Sequence, residues 1–85
     1  MAYTVQIVRE AAHALNALPK AERKNLTARI SALAIDPRPS GAKALHGSRL
    51  GHYRLRAGDY RAIYRVEDQQ ALVLVTEVGH RSSIY

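Results

Sequence analysis

The sequence predicts an α+β domain in which two short amphipathic helices cover one face of a mainly antiparallel four-stranded sheet. Three observations predict it. An alternating run from Tyr3 to Val8 is followed by two stretches of helical period that Pro19 separates. From His52 to Val66 the period changes to two, as in a hairpin. Ala71 to Val78 is then apolar on both sides, the pattern of a strand covered on both faces. The predicted order is β-α-α-β-β-β in a single domain, residues 1–85. A chain of this size buries only about 60–65% of its extended surface.

In the first run Tyr3, Val5 and Ile7 alternate with Thr4, Gln6 and Val8. Arg9 to Leu18 carries Ala12, Leu15 and Leu18, with Ala11 beside them, at helical spacing; His13 borders that stripe as a surface residue. Pro19 lacks an amide hydrogen and marks a corner. The second helix is expected from about Lys20 to Ile35, with Leu26, Ile30, Leu33 and Ala34 inside and Glu22, Arg23, Lys24 and Arg29 outside. Asp36 to Gly41, DPRPSG, is too rigid and polar for either regular structure and reads as a turn. Lys43 to Gly51 reads as an irregular connection anchored by Leu45 and Leu50, with Lys43, His46 and Arg49 bordering a groove.

Parity organises the hairpin. Tyr53 and Leu55 point one way, and His52, Arg54 and Arg56 the other; Tyr60, Ala62, Tyr64 and Val66 share one side, and Arg61, Ile63 and Arg65 the opposite one. A two-residue loop at Gly58-Asp59 keeps both halves consistent, pairing Arg56 with Arg61, Leu55 with Ala62 and Arg54 with Ile63. Gly58 then takes positive φ in a type II′ turn. Arginines facing each other cost roughly 0.2–1 kcal/mol. An anion above them reverses that sign, and a guanidinium's planar fork of donors suits phosphate or carboxylate.

The polar turn Glu67 to Gln70 leads into the last strand, with Leu72, Leu74 and Val78 expected on one face, Ala71, Val73 and Val75 on the other, and Gly79 at its end. If the first strand pairs with the last, the helices take one sheet face and leave the other as an open basic surface.

The formal charge of +6 is unevenly spread. Residues 43–65 carry six lysines and arginines against one aspartate, a net +5, while residues 66–85 carry a net −2. Such a focus favours a polyanion; a membrane fits poorly, since there is no lysine-rich amphipathic segment. There is no cysteine, and His13, His46, His52 and His80 show no close ligand spacing, so neither a metal nor another cofactor is expected. With no secretion-type leader and no run of about 20 apolar residues, a cytoplasmic location is the default expectation.

YRLR at 53–56, GDYRAIY at 58–64, VGHR at 78–81 and the terminal Tyr85, preceded by the basic stretch from Lys43 to Leu50, resemble the RelE branch of the RelE/ParE toxin superfamily. The resemblance extends over nearly the whole chain through the element order. It implies a toxin held inactive by a cognate acidic antitoxin. It also implies a ribosome-dependent endoribonuclease, an mRNA interferase that cuts messenger RNA in the decoding site without a metal. In that reaction the ribose 2′-hydroxyl attacks the adjoining phosphate, leaving a cyclic phosphate and a 5′-hydroxyl.

Under this resemblance the phosphorane-like transition state needs donors where negative charge grows. Arg54, Arg61 and Arg81 are the candidates, with Arg56 in support and Lys43, His46, Arg49, His52 and Arg65 as further RNA contacts. Arginine holds phosphate well and takes up protons poorly, so His80 or His52 is the candidate base. Tyr85 is a candidate to stack on a displaced base or orient a phosphate. Arg61, Arg81 and Tyr85 match recurrent residues of the family; positions 52 and 54, often both lysine in its best-known branch, are His52 and Arg54 here. Two alternatives stand beside this reading: a ParE-like, non-enzymatic inhibitor of DNA gyrase, and a basic RNA-binding module without catalysis.

Overall fold

Strand β1 (Thr4–Ile7) leads into helices α1 (Arg9–Asn16) and α2 (Lys20–Ala32). Strands β2 (Lys43–Ala44), β3 (His52–Ala57), β4 (Tyr60–Glu67) and β5 (Leu72–His80) follow, with single 3-10 turns at Gly47–Arg49 and Asp68–Gln70. The computed structural model describes residues 2–83. The sheet order is β1-β5-β4-β3-β2; the first strand pairs with the last in parallel, and the other neighbours are antiparallel.

The sheet has five strands where four were expected. Lys43 and Ala44 pair with Arg54 and Tyr53, so the stretch read as irregular begins as an edge strand. Two residues are too few to show an alternation. α1 stops at Asn16 and α2 at Ala32, both short of the expected ends. The last turn of α2 tightens through amides of Leu33 and Ala34 donating to Ile30 and Ser31 carbonyls.

Ala11, Leu15, Leu26, Ile30 and Leu33 of the helical segment pack on Leu55, Ala57, Ala62, Tyr64, Val73, Val75 and Val78 of the sheet. The hairpin has the expected register, Ala57 with Tyr60 and Arg56 with Arg61. Gly58 has φ 61°, and Asp59 is not among the positive-φ residues, which fits type II′ rather than type I′.

One local irregularity changes the faces of β5. The partner of Ile63 is Glu77 and that of Tyr64 is Val75, so Thr76 is an extra residue, its hydroxyl donating to the Ile63 carbonyl at 3.3 Å. Simple alternation would put Val78 with Leu72 and Leu74, as expected from the sequence. The bulge instead turns Val78 into the core opposite Ala62 and sends Glu77 to the far side beside Ile63. β5 also runs through Gly79 to His80 instead of ending at the glycine.

The 36–41 turn does more than reverse the chain. Arg38 donates to both Asp68 carboxylate oxygens, at 3.1 and 2.8 Å, and to the Tyr53 hydroxyl at 3.0 Å. The Tyr3 hydroxyl donates to Asp68 at 2.8 Å, and that of Tyr64 to the Pro37 carbonyl at 2.8 Å. The hydrogen bonds from Arg38, then that from Tyr3, hold the Asp68 carboxyl below its usual range. This knot ties β1, the loop and the β4–β5 turn beneath the sheet's helix side. Among the described residues no helix is long and apolar enough to cross a membrane.

Candidate nucleic-acid interface

Three rows cross β3 and β4 on the face away from the helices: His52 with Arg65, Arg54 with Ile63, and Arg56 with Arg61. β2 adds Lys43 beside Arg54, while β5 adds Leu74, Glu77 and Gly79 beside Arg65, Ile63 and Arg61. Directly paired residues project to the same side, so these rows form one surface.

Arg61 is the charged side chain of this surface that the fold buries, at 8% exposure. Its Nε and Nη1 are buried and have no hydrogen-bond partner. A guanidinium keeps its proton throughout the accessible pH range, so burial leaves a full positive charge with unsatisfied donors. An uncompensated buried charge is costly. A bound anion would complete such a group.

Arg56 is exposed beside it. Arg81 lies one residue beyond β5, its amide donating to the Asp59 carbonyl at 2.8 Å and its Nε 3.7 Å from Asp59 Oδ1, with both side chains more than half exposed. Arg56, Arg61 and Arg81 therefore gather at the Gly58-Asp59 end of the sheet, and Arg54 continues them along β3. His52 shares the face of Arg54 and is half-buried, with its Nδ1 buried and without a partner.

The model of the ParE toxin of type II toxin-antitoxin systems, parDE, matches residues 5–85. The chain belongs to this family. The archaeal RelE-RelB complex from Pyrococcus horikoshii OT3 contains a chain 30% identical, covering 98% of this chain and 99% of that one, with a TM-score of 0.82. The RelBE2 complex from Mycobacterium tuberculosis gives 28% identity, 95% and 100% coverage and a TM-score of 0.81. Toxin RelG of Mycobacterium tuberculosis (strain ATCC 25618 / H37Rv) is 37% identical over 43 residues, which span 51% of this chain and about half, 49%, of that relative. Together the likenesses set this ParE-family chain on the RelE branch of the superfamily.

Other candidates in this RelE-branch chain are placed differently. His80 pairs with Tyr60 and so projects to the helix side, away from the arginines; its ring meets Tyr60 edge-on at 5.4 Å between centroids. Its Nδ1 accepts the Ser82 amide at 3.2 Å and lies 2.9 Å from the Ser82 hydroxyl. Lys43 and His46 are exposed, and Arg65 pairs with Glu67 at 3.4 Å. Arg49 reaches Glu77 with both terminal nitrogens. Tyr85 lies outside the described residues. Leu50, expected as an anchor, is 77% exposed, because the 3-10 turn carries it to the tip of the connection.

Reasoning from the sequence missed Glu77 and Arg38. Alternation sends Glu77 towards the core until the Thr76 bulge is known. Arg38 sits in a proline-flanked turn that carries no period. Three recesses, lined by Glu10, Ala11, Thr76, Glu77 and Val78, by Asn16, Arg23, Lys24, Thr27 and Ala28, and by Arg29, Ala32, Pro39, Ser40, Gly41 and Leu55, contain none of Arg54, Arg56, Arg61 or Arg81.

Proposed function

We propose that this chain is the toxin of a toxin-antitoxin pair and acts as a metal-independent endoribonuclease on messenger RNA held in the ribosomal decoding site. The observation that carries the reading is Arg61, a buried permanent cation with free donors inside a surface of arginines. Arg61, Arg54 and Arg81 are assigned to the phosphate as its charge grows, with Arg56 in support. The 2′-oxygen bonds to phosphorus as its proton passes to a base, the bond to the 5′-oxygen breaks, and that oxygen takes a proton. Cyclic phosphate and 5′-hydroxyl ends result.

For the base the reading names two histidines. His52 lies two residues along β3 from Arg54 on the same side, and His80 adjoins Arg81 but projects to the other side. The first is better positioned. Tyr85 keeps the role of stacking on a base, and Lys43, His46, Arg49 and Arg65 that of outer RNA contacts. The open surface suits a substrate oriented mainly by the ribosome.

A cognate acidic antitoxin follows from the same surface. Solved relatives are complexes of RelE with RelB, and an acidic partner segment neutralising the arginines satisfies the same donors.

The test is induction of wild type and Arg81→Ala, with transcript ends mapped by primer extension. Wild type should halt translation and cut within translated codons, and the variant should not. Normal protein synthesis while soluble protein accumulates would sink the reading. The family match to ParE supports a second reading, gyrase inhibition, which predicts loss of supercoiling with intact messenger RNA.

A further inference from the structure

We propose that Glu77 is a built-in substitute for an RNA phosphate. It occupies Arg49 and holds the 45–51 connection closed across the arginine face until a phosphate of single-stranded RNA displaces it. The proposal rests on the RNA-cleaving reading above and assigns Arg49 as a phosphate contact held in reserve.

The placement of Glu77 is the first argument. The Thr76 bulge turns this carboxylate onto the arginine face. There it meets Arg49 end-on through two contacts, Nη1 to Oε2 and Nη2 to Oε1, the latter at 3.1 Å. A carboxylate presents the same forked pair of acceptors as a phosphate.

Arg49 lies in the connection between β2 and β3, whereas Glu77 is on β5, two strands beyond β3. At about 4.8 Å per strand the connection and its side chain must bridge roughly 10 Å of sheet. Ile63, on the strand between, is 0% exposed although it faces away from the helices and stands outside the helix-side core. The bridge ends on Glu77, the β5 residue that pairs with Ile63.

The bridge also lies within reach of solvent. Gly47 at φ 67° and Gly51 at φ 90° bracket it, and Leu50 at its tip is 77% exposed and anchors nothing. Arg49 and Glu77 are about one-third exposed, at 32% and 37%, so water screens their attraction and an incoming anion can exchange with it. Arg61 differs on both counts, being buried and without a carboxylate. Arg61 has no internal carboxylate to displace, whereas Arg49 meets phosphate only as the substrate displaces Glu77.

The test measures binding of a labelled single-stranded RNA with 2′-O-methyl riboses, which block cleavage, across a range of potassium chloride. Glu77→Gln should bind several-fold tighter than wild type, since the competitor is gone. Arg49→Gln should reduce the slope of log affinity against log salt by about 0.7, one single-strand phosphate contact, in both backgrounds. Arg49→Gln with Glu77→Gln should bind no tighter than Arg49→Gln alone. Hydrogen exchange at the Arg49 and Leu50 amides should rise when RNA is added to wild type.

Equal or weaker binding by folded Glu77→Gln overturns the proposal. So does an unchanged salt slope in Arg49→Gln, an arm that stands alone should Glu77→Gln fail to fold. RNA binding abolished by Arg61→Gln with a flat response at Glu77 and Arg49 removes the clamp and leaves the RNA reading intact. A wild type that binds no RNA, free or held by the ribosome, removes both.

Discussion

Arg56 and Arg61 face each other directly across the β3–β4 ladder, and Arg61 is almost wholly buried without an anion. Neither packing nor hydrogen bonding within the described residues explains that arrangement. The expected consequence is a cost to stability in the free chain that a bound anion would relieve.

The cost is measurable at Arg61. Arg61→Met keeps an unbranched aliphatic stem and removes the buried charge, so the unfolding free energy from urea melts should rise by an amount on the order of 1–3 kcal/mol. The same variant should lose RNA cleavage by about 100-fold or more, as when a transition-state donor is deleted. Reduced stability together with reduced cleavage would show Arg61 to be a structural residue.

Salt should separate the pair from the rest of the charge. Raising potassium chloride to about 1 M shortens the screening length to ~3 Å and relieves the Arg56–Arg61 repulsion. Unfolding free energy should rise by roughly 0.2–1 kcal/mol. Arg56→Gln should gain this stability at low salt and show a flatter salt response, read by urea melts at each salt concentration.

The Arg38 knot predicts the acid limb of the stability curve. The Asp68 carboxyl is held below its ordinary value of 3.8 by Arg38 and Tyr3, so its contribution is present above that pH and is lost as pH falls through the lower folded value. Thermal midpoints should fall below about pH 4 and fall less steeply in Asp68→Asn. Burial raises the Tyr64 hydroxyl, so its contribution is present below its ordinary value of 10.0 and is lost as pH climbs beyond it. Tyr64→Phe should flatten that alkaline limb.

At the hairpin turn, Gly58→Ala should lower stability by about 1–2 kcal/mol, the cost of a side chain in left-handed backbone. Space is not the cause, because an added Cβ would find its nearest neighbour, Glu22 Cγ, at an ordinary 3.8 Å. Gly58→Asn should cost less, since asparagine tolerates positive φ. Urea denaturation of the two variants gives the comparison.

The hairpin was legible in the chain because its information is local. Alternation from His52 to Val66 and one glycine at the turn specify both register and face, and the arginine rows follow. The helices were legible by period, with ends misjudged because Leu18 and residues 33–35 continue the apolar pattern after the hydrogen bonding stops. His80, a candidate base from the sequence, pairs with Tyr60 and projects to the helix side, which its position next to Arg81 in the chain does not reveal.

What the sequence by itself determined was the two-faced hairpin, the amphipathic helices and the concentration of charge, all consequences of side-chain period and turn chemistry within a few residues. Tertiary structure alone decided the parallel docking of β1 on β5, the two-residue edge strand and the Thr76 bulge that exchanges Val78 and Glu77 between faces. It also decided the burial of Arg61 and the reach of Arg49 to Glu77. Those features depend on which distant segments come to lie side by side, and no period along the chain encodes that.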